Sequence, residues 1–579
     1  MLLIYPPAAR STEPPLGIAR LAGFLNRNGV PARCLDLCQE GLDYLLGLDL
    51  DAQDTWTRGA LRRRSRNRAL LRDSAAYATP DRYRRAVFDL NRALKAASAP
   101  FGVETGLADY RDSRRSPLRR SDLLDAAAAH ENNVFSPLFR SRIAEALSAF
   151  PTRAIGLSVN YLSQALCAFA IVGFVRKVRR DLCVVLGGSL ITSWVAQGSL
   201  AADERFGGLV DAILPGRGEE GILALLGAPR GAPTAPPAFD DLVALDYLAP
   251  TRILPYNFST GCPWKRCSFC PETAEGIRYV GTRVGTAVQE VGALVARHAP
   301  GLLHFTDTEI APLYLRALAA SPPGVPWYGF TRFSPLLTDP DFCRRLAASG
   351  CAMLQLGLES ADQRVLDALG KGTRLDQIDR ALLNLAESGI GVFLYVLFGT
   401  PAEQRDAARR TRDFVASRAD RIDFINVALF NLPVASAEVP RLETRAFYEG
   451  DLSLYRAFVH PSGWNRAAVR AFLAEEFNAD PAIKTILART PPVFTSNHAP
   501  FFLPSTRTLQ LNRKSACDGK GHEVRPIDSR GFPNHPARGQ TLQFSRKAYK
   551  GRQDLQGISR KKVPARLRVL GDLSVRIPG

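Results

Sequence analysis

Between residues 251 and 435 six short apolar runs alternate with longer amphipathic stretches, at a spacing of 25–40 residues. The runs lie near 252–258, 302–306 (LLHFT), 327–332 (WYGFTR), 352–358 (AMLQLGL), 391–398 (GVFLYVLF) and 422–429 (IDFINVAL). Helical stretches such as Arg374–Ser388 fill the intervals. Runs that are apolar throughout suit strands buried on both faces, and strands joined by helices run parallel. Six such units predict an α/β fold, a partial TIM-like (β/α)6 barrel whose ligands meet the chain at the strand C-termini.

A second, shorter series precedes it. LLIY (2–5), Arg33–Asp36, AIGLSV (154–159), CVVLGG (183–188) and the strand in DAILPGRGEEG read as strands, with helices at 16–28 and Ala165–Val178 between them. This predicts a doubly wound, Rossmann-like domain over 1–227. Its alternation breaks over about 52–150, an Arg-dense helical insertion (RGALRRRSRNRALLR, DRYRRAVFDLNRALKAAS) whose basic spacing reads as a solvated face. Gly187, Gly188, Gly216 and Gly218 fall at strand ends, where ligands of such sheets sit; simple tight turns are the other reading. Residues 228–250 read as a Pro- and Ala-rich linker, and 436–503 as a helical and loop extension of the barrel.

The chain has 579 residues and a formal net charge of +19. Pro504–Gly579 holds 17 Lys+Arg against 5 Asp+Glu, which leaves a net of only +7 for the rest. That tail lacks apolar periodicity and is expected to be basic and disordered. The basicity therefore says little about the folded part, and nucleic acid is not expected as a partner. No run of 18 or more uncharged apolar residues occurs, and the first residues do not read as a secretory signal. A cytoplasmic location without membrane attachment is the expectation.

Of ten cysteines, three crowd into STGCPWKRCSFCPE as Cys262, Cys267 and Cys270, directly after the first barrel strand. A C-x4-C-x2-C loop can face one metal centre. Zinc needs a fourth ligand, and no second C-x2-C pair is present. A cubane iron–sulfur cluster held by three cysteines leaves one iron open, which suits the count better.

The loop, with the aromatic Phe269 before its third cysteine, resembles the cluster loop of the radical S-adenosylmethionine (radical SAM) superfamily. One residue more than usual separates Cys262 from Cys267. HFTDTEI (304–310), WYGFTRFSPLL, LQLGLESADQRVLDALGKGT (354–373) and VLFGTPAE (396–403) resemble that family's second- to fifth-strand motifs, in order. PPLGIARLAGFLNRNG, VVLGGSLIT and LPGRGEEGILALL resemble, more loosely, the cobalamin-binding domain that precedes the barrel in one subclass. No D-x-H-x-x-G motif is present and no histidine precedes His130.

The resemblance implies that Cys262, Cys267 and Cys270 ligate a [4Fe–4S] cluster whose fourth iron binds S-adenosylmethionine (SAM). It implies a cofactor role for Phe269 (adenine, or simply a packed loop aromatic) and for Thr306 and Asp307 (the methionyl ammonium, or a helix cap for Asp307). It implies the same for Arg332 (the SAM carboxylate, or Glu359) and for Glu359 with Ser360 (the ribose hydroxyls, or a barrel Lys or Arg for Glu359). Gly399 and Pro401 would shape a turn beside adenine or serve structure alone. The catalytic residues are not assigned. Cobalamin is left open as a further cofactor, without a histidine lower ligand from the first loop. The activity implied is formation of a 5′-deoxyadenosyl radical, with methyl transfer or another modification of a peptide or small molecule, and a flavodoxin or ferredoxin as reductant. The alternatives are an RNA-modifying enzyme of the same family and a non-catalytic iron–sulfur or zinc protein that binds nucleic acid. His498, in an aromatic and Pro-rich segment, reads either as an ordinary loop histidine or as one that closes the site.

Overall fold

The computed structural model describes residues 1–229, 231–232, 234–493 and 498–503. The expected tail, 504–579, lies outside the described residues. β1 (Leu2–Tyr5) is followed by helix Leu16–Arg27 and β2 (Arg33–Asp36). The Arg-dense stretch then supplies helices Thr55–Leu71, Pro80–Ser98, Arg120–Ala128 and Ser136–Ala149. It also forms a small antiparallel hairpin, β3 (Val103–Thr105) with β4 (Tyr110–Asp112), where helix alone was expected. Gly102, at φ 72°, ends the preceding helical turn, and the alternating exposure of Val103, Glu104 and Thr105 starts the hairpin.

β5 (Ala154–Ser158), β6 (Cys183–Gly187) and β7 (Ala212–Leu214) complete a parallel sheet in the order β2-β1-β5-β6-β7. The winding reverses beside β1, the switch point of a doubly wound fold. Helix Leu162–Val178 is buried at every position from Gln164 to Val175. The insertion explains this: its helix Arg120–Ala128 covers the outer side of a helix that would otherwise face water.

The second sheet starts with β8 (Ile253–Tyr256). A short ribbon of β9 (Ser259–Thr260) and β10 (Val280–Gly281) then closes the base of the cysteine loop. β11 (Leu302–Phe305), β12 (Trp327–Thr331), β13 (Cys351–Glu359), β14 (Gly391–Phe398) and β15 (Phe424–Leu429) follow. Their spatial order, β15-β14-β13-β12-β11-β8, is the order of the chain and every pair is parallel. This is a singly wound partial barrel. Leu303, Phe305, Leu354 and Leu394 pack outward on helices, while Tyr328, Met353, Phe393 and Phe424 fill the interior.

Residues 498–503 close the barrel at the N-terminal ends of its strands. The His498 ring stacks on Phe393 with centroids 5.0 Å apart. Phe501 packs edge-on against Tyr77 and Tyr83 of the insertion, at 5.0 and 5.1 Å. A Cβ on Gly391 would lie 2.7 Å from the Phe502 ring, so glycine makes the room for it. His498 thus lies at the end of the barrel opposite the strand C-termini.

After β15 comes an antiparallel sheet, β16 (Leu432–Pro433), β17 (Thr444–Ala446) and β18 (Tyr455–Phe458), in the order β16-β18-β17. Helices Arg466–Phe472 and Pro481–Arg489 follow, so the region expected to be helical and loop also carries strands.

The two parallel sheets belong to one compact unit. The loop after β1 reaches into the barrel, where Glu13 accepts from His304 Nδ1 at 2.8 Å and pairs with Arg10 at 3.0 Å. His304 stacks on Tyr328 at 4.3 Å, 5° from parallel. Arg20 of helix Leu16–Arg27 donates to the Asn257 carbonyl at 2.9 Å, just past β8.

Candidate active site

The cysteine loop leaves the C-terminal end of β8, and its entry is set by Asp307. One Asp307 oxygen accepts from Phe258 N at 2.9 Å; the other accepts from Ser259 N and Ser259 Oγ at 2.8 and 2.6 Å. Burial raises Asp307 to about 6, against the pull of those donors. Its carboxylate therefore fixes the start of the loop, and it caps strand-end amides rather than a helix. Thr306 donates its amide to the Tyr256 carbonyl at 2.8 Å.

The loop is sewn to the turn that follows helix Gln363–Ala368, the first helix after β13. Trp264 Nε1 donates to the Gly370 carbonyl at 2.8 Å, and Ser268 N to Leu369 O at 3.0 Å. Gly372 makes space: a Cβ there would lie 2.0 Å from the Trp264 ring. Lys265 turns the loop at φ 50°. Phe269 packs against Val365, Leu369 and Ala407.

Four charged side chains surround the cysteines. Glu309 Oε2 accepts from the Cys262 thiol at 3.3 Å and lies 3.9 Å from Arg332 Nε. Arg332, from the end of β12, donates to the Lys371 carbonyl, lies over the Trp264 ring at 4.2 Å and brings Nη1 to 4.0 Å from Cys267 Sγ. Lys371 Nζ bonds Glu359 Oε1 at 2.8 Å, with both side chains buried. Glu359's partner is thus Lys371, and the alternative pairing with Arg332 is not formed. Burial alone would lower Lys371, but Glu359 and Cys267 hold it above its usual range.

The fourth-strand sequence Gly-Leu-Glu-Ser builds this pair. A Cβ on Gly357 would fall 2.3 Å from Glu359 Oε1 and 2.7 Å from Lys371 Nζ. Glu359 itself sits at φ 62°, beside a register shift between β13 and β14. A non-glycine residue held there is strained, which is common at functional sites. Ser360 is fully buried and turned to helix Arg405–Ala416, which follows β14, with its Oγ 3.3 Å from Thr411 Oγ1. Its hydroxyl is used inside the fold.

At the end of β14, Gly399 (φ 82°) donates its amide to Glu403 Oε2 at 2.5 Å across the turn that holds Pro401. Trp464 Nε1 donates to the same oxygen at 3.0 Å. Burial lifts Glu403 to about 7.

The thiols suit a cluster better than a single ion. Burial pushes Cys262 and Cys270 up to about 11, so the thiolate state needs a metal, or cations such as Arg332 and Lys371, to stabilise it. Cys267 is also raised by burial, with Lys371 and Arg332 opposing. Among the described residues no three His, Cys, Asp or Glu side chains converge as ligands of one ion. A cubane needs no such convergence, because each thiolate meets a different iron. Ser334 Oγ, Thr400 Oγ1 and Glu403 Oε1 are buried without a hydrogen-bond partner among the described residues, near the ends of β12 and β14. Such atoms fit a polar ligand at the strand ends.

The N-terminal sheet offers less. A Cβ on Gly188 would lie 2.5 Å from the Val159 carbonyl, and one on Gly187 3.2 Å from that of Leu214, so these two serve close strand packing. Gly216, at φ 70°, has nothing within 4 Å and faces open space. The loop after β1 holds no histidine, and the cavity beside it is only about 10 Å³.

Neither Glu309, Lys371 nor Trp264 is singled out by sequence reasoning, although all three stand in the quoted motifs. A buried lysine near three cysteines and an acidic residue is the signal that pointed to them.

Residues 256–415 match the family model of the radical SAM superfamily. The chain is 26% identical over 297 residues to the anaerobic magnesium-protoporphyrin IX monomethyl ester cyclase of Rubrivivax gelatinosus, covering 44% of this chain and 52% of that protein. It is 26% identical over 182 residues to the bacteriochlorophyllide d C-12(1)-methyltransferase of Chlorobaculum tepidum, covering 30% and 39%. The chain thus spans about half the length, or less, of these two relatives. The structure of the radical SAM methyltransferase TsrM from Kitasatospora setae, with cobalamin and a [4Fe–4S] cluster bound, aligns over 89% of this chain and 99% of that one. The TM-score is 0.50 and the identity 16%, a likeness of fold.

Proposed function

We propose that the protein is a radical SAM enzyme in which Cys262, Cys267 and Cys270 hold a [4Fe–4S] cluster at the mouth of the barrel. When bound and reduced, such a cluster supplies the electron that cleaves SAM to methionine and a 5′-deoxyadenosyl radical. The observation that carries the reading is the three-cysteine loop leaving the first strand of a barrel whose residues 256–415 match that family. Arg332 and Lys371 stabilise thiolates and lend positive charge to the site. Asp307 holds the loop's entry, leaving backbone oxygens near Thr306 to receive a methionyl ammonium. Glu359, held by Lys371, is the carboxylate for the ribose hydroxyls, and Phe269 with the Gly399–Pro401 turn borders adenine. Burial and the sewn loop exclude water and competing donors from the cleaved cofactor.

The N-terminal domain is proposed to take a corrinoid on the open side near Gly216, where the loop after β1 would offer it no histidine. A bound corrinoid supplies a methyl carrier, which suits the methyltransferases among the similar proteins. The substrate is a small molecule or peptide, and the electrons come from a flavodoxin or ferredoxin in the cytoplasm.

The test is anaerobic reconstitution of the full chain with iron, sulfide, SAM and dithionite, reading 5′-deoxyadenosine. Product well above a Cys267→Ala control is expected; none above it overturns the radical reading. Reconstitution with hydroxocobalamin, read by its absorption after desalting, tests the N-terminal domain, and a spectrum that washes away overturns that part.

A further inference from the structure

A cavity of about 590 Å³ stands over the C-terminal ends of β14 and β15, floored by Phe398 and Phe430 and walled by β17, β18 and helix Arg466–Phe472. None of the cysteines, Arg332, Glu359 or Lys371 lines it. Its volume suits a drug-sized molecule, and its place suits a ligand of a parallel barrel.

Three arginines from three elements face this space, and no Asp or Glu does. Elsewhere the barrel's arginines find acids: Arg405, Arg409 and Arg412 all share Glu476. Here the anchor of Arg456 is neutral. Arg456 Nε donates to Thr444 Oγ1 at 2.9 Å. Arg466 Nη1 donates to Asn431 Oδ1 at 2.8 Å, and its guanidinium lies 5.1 Å over the Phe447 ring. Arg445 is exposed at the rim and, among the described residues, has no carboxylate partner. Neutral anchoring fixes the direction of the Arg456 guanidinium without neutralising it, so Arg456 and Arg445 keep like charges that repel one another until an anion enters. Aromatic rings supply much of the apolar lining: Phe430 and Phe458 meet edge-on at 5.8 Å, and Trp464 is locked to Glu403 of the β14 turn.

We infer that this cavity is the substrate pocket, and that it takes an aromatic or similarly apolar body carrying a carboxylate or phosphate. The substrate assignment rests on the catalytic reading above; the binding itself does not. Isothermal titration of the anaerobically reconstituted full chain would use three probes: indole-3-propionate, 1-naphthyl phosphate and the neutral indole-3-propionamide. One or both anions should bind, and which does so tells carboxylate from phosphate, while the amide binds about tenfold or more weakly. Arg445→Gln should weaken the anion about tenfold, and Arg445→Gln with Arg456→Gln further. If the double variant misfolds, Ala446→Glu, an exposed change on the lining, should give the same loss. Equal binding of acid and amide, no binding of any probe, or variants that bind like the wild type would overturn the inference. Competition by SAM would assign the cavity to the cofactor and overturn the substrate assignment. Assaying 5′-deoxyadenosine in the same preparations separates the two readings. Charge-dependent binding without SAM cleavage keeps the pocket and sinks the radical enzyme; cleavage without such binding does the reverse.

Discussion

The molecule presents the C-terminal ends of parallel strands twice, and the two faces differ in what they bury. At the N-terminal sheet Gly187 and Gly188 pack against backbone, and the buried carboxylates are used up inside the fold: Asp36 accepts from Cys38 N, Gln39 N and the Tyr247 hydroxyl, and Glu13 points into the barrel. At the barrel the strand ends bury Asp307 against the start of the cysteine loop, and Glu309, Arg332, Glu359 and Lys371 within one network. Burying charge is costly without partners, so a fold keeps such a group only where it is paired or where a ligand completes it. The difference teaches that shared topology marks where a ligand can sit, and buried charge marks where chemistry is held ready.

The largest expected effect concerns the thiols. Cys262→Ala, Cys267→Ala or Cys270→Ala should each reduce bound iron and 5′-deoxyadenosine formation to background, measured by iron analysis and chromatography. A variant that keeps both would remove the cluster from the barrel face and break the contrast.

Next comes the ion pair. Lys371→Met leaves Glu359 buried and unpaired, and should cost about 3–5 kcal/mol in denaturant unfolding. Combining it with Glu359→Gln should recover a large part of that loss. Additive losses would show that the two groups do not act as a pair.

The contact between domains should weigh less. Glu13→Ala removes the acceptor for His304 and the partner of Arg10, and about 1–3 kcal/mol of unfolding free energy is expected to go with it. If stability is unchanged, the first loop is not tied to the barrel as described.

The smallest effect is a slope. Burial raises Glu403 from a usual value of 4.5 to about 7, so between those values the folded chain binds more protons than the unfolded one. Its contribution is therefore fully present below about pH 4.5 and is lost as pH rises toward 7, at about 1.4 kcal/mol per pH unit at most. Glu403→Gln, whose carbonyl still accepts from Gly399 and Trp464, should flatten that decline in melts recorded across this range. An unchanged slope would place the titration elsewhere, for example at Asp307 or Asp36, which burial raises to about 6.

Much of the scaffold was legible before any coordinates. The six barrel strands fall within a few residues of the apolar runs, because strands buried on both faces carry their burial in composition. The cysteine loop was legible because its spacing is local. What escaped was set over distance. Glu13 and His304 are 291 residues apart, and nothing near either one announces the other. Lys371 stands 12 residues from Glu359, and only the short helix Gln363–Ala368 and the turn after it bring it back. β16 has two residues and β17 three, too short for any periodicity to show. Ser360 pointed to a ligand by its neighbour in sequence, yet successive residues at a strand end face opposite ways.

The plug at the base of the barrel bears on how the chain is made. Tyr77 and Tyr83 emerge early in synthesis, while Phe501, which covers them, is the third from last of the described residues to emerge. Arg84 likewise waits for the Ala488 carbonyl, 404 residues downstream. At about 5–20 residues per second that interval lasts roughly 20–80 s. Throughout it the nascent insertion shows the ribosome's surroundings an aromatic patch with no cover. Chaperone capture during translation, rather than stability of the finished enzyme, is where changes in residues 498–503 should first be felt.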